Sequence, residues 1–371
     1  MSVGTSLAAE PTTIRAAQYT QGRALAFVDI PTPSPARGEL LLEVEAAGIC
    51  GTDLKIAANG HRKLSDGQTI TLGHEFIGRV AAIGEGAAGF EIGQRVGVAP
   101  NLGCGACEMC GRGLMNMCPD YTAFGITFDG ALAPFVRVPA AAIAQGCVMR
   151  VSDDADPHLL VLAEPLSCAI NGLRVVQPTF GDIALVYGGG PMGLMCVALA
   201  ALAGCSRVIV ADRHPERLAL AREIGATDII DVTRQSAGDW VAANLRGGLN
   251  IVITAAPSEA IQREALSILA PFGRLSLFAG LARGASEVLL DTNVIHYKNL
   301  LVTGTSGGSP RDYRDALRLI ESARLNIEKL VSHVYDFDHL AEAFEMAKSK
   351  KGQKIVVSNL ARRVSAEGAR A

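Results

Sequence analysis

Four cysteines, Cys104, Cys107, Cys110 and Cys118, fall within fifteen residues in the spacing C-x2-C-x2-C-x7-C. Glycines at 103, 105, 111 and 113 let the backbone wrap around them. Four soft thiolates held this closely suit a closed tetrahedral zinc site with no position left for substrate, so its role would be structural. The rival is the bacterial iron–sulfur run C-x2-C-x2-C-x3-C-P, and Cys118 is indeed followed by Pro119. Here the last spacing is seven, and no second cysteine group completes that pattern.

A second set of donors is spread along the chain. Cys50 sits between Gly48 and Thr52-Asp53, His74 and Glu75 follow Gly73, and Glu164 precedes Pro165 and Leu166. A lone Cys or His is more often a packing residue. Cys, His and carboxylate together can give zinc three or four ligands and still admit water or an alcohol. Glu164 lies among Leu, Val, Ala and Pro, where an unpaired carboxylate is costly to bury and a metal would satisfy it.

The third motif runs from Ala184 to Gly193 and contains Gly188, Gly190, Pro191, Met192 and Gly193, between an apolar strand and an apolar helix. In that context G-x-G-x-x-G marks a dinucleotide loop. Gly188 permits the tight turn, Gly190 lets backbone approach a pyrophosphate at the helix N-terminus, and Gly193 lets helix and strand pack closely. Asp212 ends the next strand, 24 residues after Gly188. A carboxylate there accepts from ribose hydroxyls and repels a 2′-phosphate, which favours NAD over NADP. Arg213 follows it and could accommodate that phosphate.

The elements that must position these residues fall into three zones. From about Ile14 to Ala140, short alternating runs such as 40–44 and 95–98, rich in Gly, Val and Pro, predict a β-barrel or sandwich. From about Gly181 to Gly304 the pattern becomes β-α alternation. Strands are expected at 183–187, 207–211, 250–254, 273–278 and 300–304, with helices at 192–203 and 215–224. Near-continuous apolar strands of this kind build a parallel sheet covered on both faces. The last zone predicts helices at 313–324 and 338–348 and a final strand at 354–358. The tail after Arg362 is polar and Ala-rich.

Length and composition exclude several classes. A chain of 371 residues, 49% hydrophobic and 19% charged, is long enough for about two domains. A net charge of −3 with no like-charge run gives no footprint for nucleic acid. No apolar stretch approaches the roughly 20 residues of a membrane helix. Nine cysteines without a secretory leader argue for reduced thiols and a cytoplasmic protein. Cys147, Cys168, Cys196 and Cys205 read as small buried hydrophobes.

Taken together, the run Gly73 to Gly78 followed by Gly84, the four-cysteine loop and the Gly188 motif resemble, in order, the zinc-containing medium-chain alcohol dehydrogenases. The resemblance covers about Arg15 to Asn359. The Glu75 and Glu164-Pro165-Leu166 pattern is most similar to the sorbitol, polyol and threonine dehydrogenase branch. It implies an α/β fold: a GroES-like β-rich catalytic domain over 1–165, a Rossmann doubly wound domain over 166–305, and a segment, 306–371, returning to the catalytic domain, with the active cleft between the two. It implies two zinc ions per chain, with Cys50, His74 and Glu75 holding the catalytic one and Glu164 binding or retreating as substrate and water exchange.

The same resemblance puts Thr52 in the position of the hydroxyl that passes on the alcohol proton. Lys55 departs from the pattern, since many relatives carry a His there as the next relay group. The activity implied is oxidation of a secondary alcohol, a polyol or sugar, by hydride transfer to NAD, in a homotetramer or homodimer. The alternatives are a threonine-type amino-alcohol dehydrogenase, an NADP-dependent reductase, and a non-catalytic zinc and nucleotide-binding protein.

Overall fold

The computed structural model describes residues 12–282 and 284–359. The tail after Arg362 lies outside them, as do residues 1–11 of the N-terminal stretch. The chain divides into two compact units. One holds the chain up to Glu164 together with Ser309–Glu321 and the part from Leu330 onward, and the other holds Pro165–Gly308 and Ser322–Lys329.

The first unit is built on β-structure. Its largest sheet runs in the order Val148–Arg150, Arg95–Val98, Glu75–Ile83, Leu40–Ile49, Lys354–Ser358, Val331–Tyr335, with Phe135–Val138 also pairing with Leu40–Ile49. The strand Leu40–Ile49 is buried along almost its whole length, which its near-continuous apolar sequence requires. It pairs antiparallel with Glu75–Ile83 on one edge, placing Gly48 opposite Glu75. On the other edge it pairs with the final strand, Ile355 opposite Ile49 and Val356 opposite Gly48. Pattern alone left that strand's partner open. A separate three-stranded sheet joins Ala26–Pro31, Thr13–Thr20 and Thr69–Thr71.

The helix expected at 313–324 is Pro310–Glu321. It starts a turn earlier because Ser309 and Asp312 cap it reciprocally: Ser309 N–H donates to Asp312 Oδ2 and Asp312 N–H donates to Ser309 Oγ. Pro310 then fits the first turn, where no N–H is required.

The second unit is a six-stranded parallel sheet in the order Asp228–Asp231, Arg207–Asp212, Ile183–Tyr187, Leu249–Thr254, Leu269–Leu277, Leu301–Gly304. Numbered along the chain this is 3-2-1-4-5-6, the doubly wound order of dinucleotide-binding folds. The fifth strand begins at Leu269 rather than at 273, with a register break where five residues face two. Pro271 cannot donate to the ladder, and Phe272 takes a left-handed φ of 60°, so the irregularity sits there. Trp240, on the helix Ala237–Asn244, packs into this unit's core beside Leu249, Leu266 and Leu269. Cys147, in the first unit, and Cys196, in the second, are fully buried, and burial pushes each thiol up to about 12. Cys168 and Cys205 are only half-buried. No helix among the described residues is long and apolar enough to cross a membrane.

Candidate active site and cofactor loop

Cys50 follows the strand Leu40–Ile49 and is the N-cap of the helix Gly51–Asn59. Its backbone N–H donates to Asp53 Oδ2 at 2.8 Å. The other oxygen of Asp53 accepts from Gly73 N–H at 3.1 Å and lies 3.5 Å from His74 Nδ1. One fully buried carboxylate thus ties the two segments that carry Cys50 and His74. Gly73 has φ 99°, and a Cβ there would fall 2.7 Å from the Leu132 backbone, so only glycine turns the chain into His74.

Cys50, His74 and Glu75 meet at one point, each offering a ligand atom within 4.8 Å of the others. Glu75 opens the strand Glu75–Ile83 and is completely buried. Its carboxylate fits because Gly48 faces it: a Cβ on Gly48 would collide with Glu75 Oε2. Both carboxylate oxygens accept from Lys354 Nζ, at 2.7 and 2.6 Å. Burial opposes the charge on Lys354, yet Glu75, Cys50 and Glu164 together hold its pKa above the ordinary lysine value.

Glu164 lies in the first turn of the helix Ala163–Arg174 and is buried. It is not one of the three residues whose ligand atoms converge. It is close enough to raise the pKa of Lys354 and, after burial itself, that of Tyr313, to which Glu75 also contributes. Tyr313 is buried under the same strands, and a Cβ on Gly97 would come 2.9 Å from its hydroxyl.

The donor set suits a divalent metal. Asp53, Glu75 and Glu164 bring three buried carboxylates beside the Cys50 thiol, with Lys354 as the cation paired among them. Excess buried negative charge is expensive unless a cation shares it. His74 Nδ1 is fully enclosed, makes no close hydrogen bond and faces Asp53 Oδ1 at 3.5 Å. Burial opposes charge on this ring, but Asp53 and Cys50 outweigh it and raise its pKa well above the usual histidine value. With the Asp53 carboxylate behind Nδ1, the nitrogen left for an ion is Nε2, the usual arrangement for a metal-ligating imidazole.

The four-cysteine loop fits zinc on distance. Its sulfurs lie within 4.8 Å of one another, with Cys107 to Cys110 at 3.5 Å, Cys107 to Cys118 at 3.8 Å and Cys104 to Cys110 at 4.0 Å. Tetrahedral bonds of about 2.3 Å put ligand sulfurs about 3.8 Å apart. A Cβ on Gly103 would collide with Cys110 Sγ, so that glycine is part of the cradle. Backbone N–H groups of Ala106 and Cys107 draw the Cys104 thiol down to about 7, whereas burial pushes Cys110 up to about 11.

In the second unit, Gly188 turns with φ 103° after the strand Ile183–Tyr187. A Cβ on Gly193 would collide with the Gly188 carbonyl, and Gly190 has open space around it. Pro191 and Met192 form the first turn of the helix Pro191–Leu202, with Gly190 as its N-cap. Asp212 Oδ2 accepts from Gly189 N–H at 2.6 Å and Oδ1 from His214 N–H at 2.8 Å. Each oxygen keeps a further lone pair for a ligand hydroxyl. Arg213 is exposed, and its Nε lies 3.2 Å from His214 Nε2. The guanidinium beside the glycine loop is Arg217, whose Nη1 would lie 4.0 Å from a Cβ on Gly190.

Comparison with known proteins settles the family. Residues 36–148 match the alcohol dehydrogenase GroES-like domain and residues 191–322 match the zinc-binding dehydrogenase domain. The chain is 33% identical to the L-threonine 3-dehydrogenase of Pyrococcus furiosus over 340 residues, covering 90% of this chain and 94% of that one. The chain belongs to the zinc-dependent medium-chain alcohol dehydrogenase family. It is an oxidoreductase with a GroES-like domain and a Rossmann domain. The starvation-sensing protein RspB of Escherichia coli K12 is 32% identical over 87% of this chain and 92% of its own. Among solved structures, a zinc-binding dehydrogenase of Sinorhizobium meliloti bound to NADP aligns with TM-score 0.85 and 27% identity over 94% of this chain and 100% of that one. The rspB product of Escherichia coli CFT073, complexed with NADH, aligns with TM-score 0.84 and 29% identity over the same shares. In this dehydrogenase Thr52 is half-buried in the first turn after Cys50, and Lys55 is exposed one turn further on.

Proposed function

We propose that the chain oxidises a secondary alcohol flanked by a polar group, a polyol or sugar, by transferring hydride to NAD. The observation that carries this reading is the convergence of Cys50, His74 and Glu75 around Asp53 in a chain of this family. These three residues would hold the catalytic zinc, with Glu164 beside them, and Cys104, Cys107, Cys110 and Cys118 would hold a structural one. Bound there, zinc acts as a Lewis acid on the alcohol oxygen and favours loss of its proton.

The chain's own residues do the rest. Asp53 fixes the ring orientation of His74. The Thr52 hydroxyl, next but one to Cys50, takes the alcohol proton and passes it outward, and Lys55 stands on the same helix as the next polar group. Gly190 and the N-terminus of the following helix receive the pyrophosphate, and Asp212 accepts from the adenosine ribose hydroxyls. A carboxylate that already holds Gly189 leaves little tolerance for a 2′-phosphate, so NAD is preferred over NADP. Arg217, whose guanidinium lies beside Gly190, would contact this end of the cofactor. The edge strand Leu301–Gly304, with Tyr297 and Leu301 exposed, supports assembly of two or four copies through sheet edges. Nine free cysteines suit a cytoplasmic enzyme.

A second reading, an L-threonine-type amino alcohol as substrate, is favoured by the 33% and 30% identities to threonine 3-dehydrogenases of Pyrococcus furiosus and Bacillus subtilis. The test is NADH formation across vicinal diols, sugar alcohols and L-threonine. Turnover on diols or sugar alcohols with little on threonine supports the first reading. Preference for threonine transfers the assignment to the second, and turnover on none rejects both.

A further inference from the structure

Lys354 opens the strand Lys354–Ser358, whose next three residues are apolar and buried. Because Ile355 faces Ile49, the preceding residue comes to the end of the strand that carries Cys50. Its ammonium is bound by both oxygens of Glu75 at 2.6 and 2.7 Å, with Lys354 5% exposed and Glu75 fully enclosed. Glu75 is at the same time one of the three residues whose ligand atoms converge. The lysine and the metal position therefore compete for one carboxylate.

A carboxylate has about four lone-pair sites, so it can serve an ammonium and an ion together. Each N–H it accepts makes it a poorer donor to the metal. We propose that Lys354 is a positioning residue of the metal centre: it shares Glu75 with the bound ion and sets how strongly Glu75 is drawn onto it. This rests on the metal centre proposed at Cys50, His74 and Glu75. A lysine that only neutralised a buried carboxylate would affect folding and leave the ion untouched.

The test uses the full chain loaded with Co2+, whose visible bands report the number and type of ligands. Subtracting the spectrum of Cys50→Ala removes the contribution of the four-cysteine site. Lys354→Met frees Glu75 for the ion, so the difference bands shift and release of Co2+ to a chelator slows about tenfold, the scale on which residues behind metal ligands act. Should Lys354→Met not fold, Lys354→Arg decides. Its planar fork matches both oxygens of Glu75 and pulls the carboxylate the other way. Release then quickens about tenfold, again with shifted bands. Unchanged bands and rates in the folded variants overturn the role of Lys354 while leaving the metal centre standing. If the parent chain and Cys50→Ala both take up a single Co2+, the metal centre itself fails and this inference falls with it.

Discussion

The Asp53 carboxylate lies 3.5 Å from His74 Nδ1 while its two oxygens accept the backbone N–H groups of Cys50 and Gly73. A single side chain therefore ties together the segments that carry Cys50 and His74 and faces the His74 ring. Asp53→Asn keeps the shape but removes the charge behind the imidazole. We expect a loss of 10- to 100-fold in metal affinity at this site and a matching fall in kcat, measured by chelator competition and steady-state rates. Retention of parent affinity would reduce Asp53 to a helix cap.

The raised pKa of His74 gives a pH dependence. In the metal-free protein the charged ring contributes stability that is complete below about pH 6.5 and is lost as pH rises through the raised folded value. Metal must displace that proton, so uptake at the Cys50 site releases protons and weakens on acidification through the same window. Titration calorimetry in buffers of different ionisation enthalpy measures the protons released. A proton count unchanged by His74→Gln would contradict this origin.

Gly48 leaves the space that Glu75 occupies. Gly48→Ala drives a methyl into Glu75 Oε2 on two paired strands, and we expect about 1–3 kcal/mol of destabilisation with loss of most turnover. Gly51→Ala has nothing within 4 Å of the added methyl and serves as the silent control. Thermal melts and rates of the two variants make the comparison.

The four-cysteine loop has only a short helix, Glu108–Gly111, a single 3-10 turn, Met115–Met117, and the two-residue strand Asn101–Leu102 around it, so its order depends on what the sulfurs hold. Cys110→Ser should remove one metal per chain and several kcal/mol of stability, because metal binding in such a loop is folding energy. Cys50→Ala should remove one metal and the activity with little change in melting temperature. Equal melting shifts in the two variants would deny the separation of roles.

On the cofactor side, Arg217→Ala should raise KM for NAD about tenfold, the value of one charge-assisted hydrogen bond, while kcat holds. Arg213→Ala should change KM less than twofold, since its guanidinium turns to His214. Reversal of that order would return the cofactor contact to Arg213.

The fold class, the clustered cysteines and the glycine loop were legible in the sequence because each carries its own local signature. The parallel strands are continuous apolar runs, the cysteines keep ligand spacing, and Gly188, Gly190 and Gly193 stand where a strand gives way to a helix. What pattern could not supply was long-range pairing. Lys354 lies 279 residues beyond Glu75, and its one signal is a charge opening an otherwise apolar strand. Asp53 reads locally as a helix-capping acid, and only the return of Gly73 beside it shows what it joins. Arg213 stands next to Asp212 in sequence, whereas Arg217, in the first turn of the following helix, is the guanidinium found beside the glycine loop.

The most direct test of the central claim is metal content of the purified chain and of Cys50→Ala, each paired with NADH formation on its best alcohol. Two zinc ions per chain, falling to one in the variant together with its turnover, is the predicted result. One zinc per chain in both proteins, with the parent still active, would show that Cys50, His74 and Glu75 do not form the catalytic metal site.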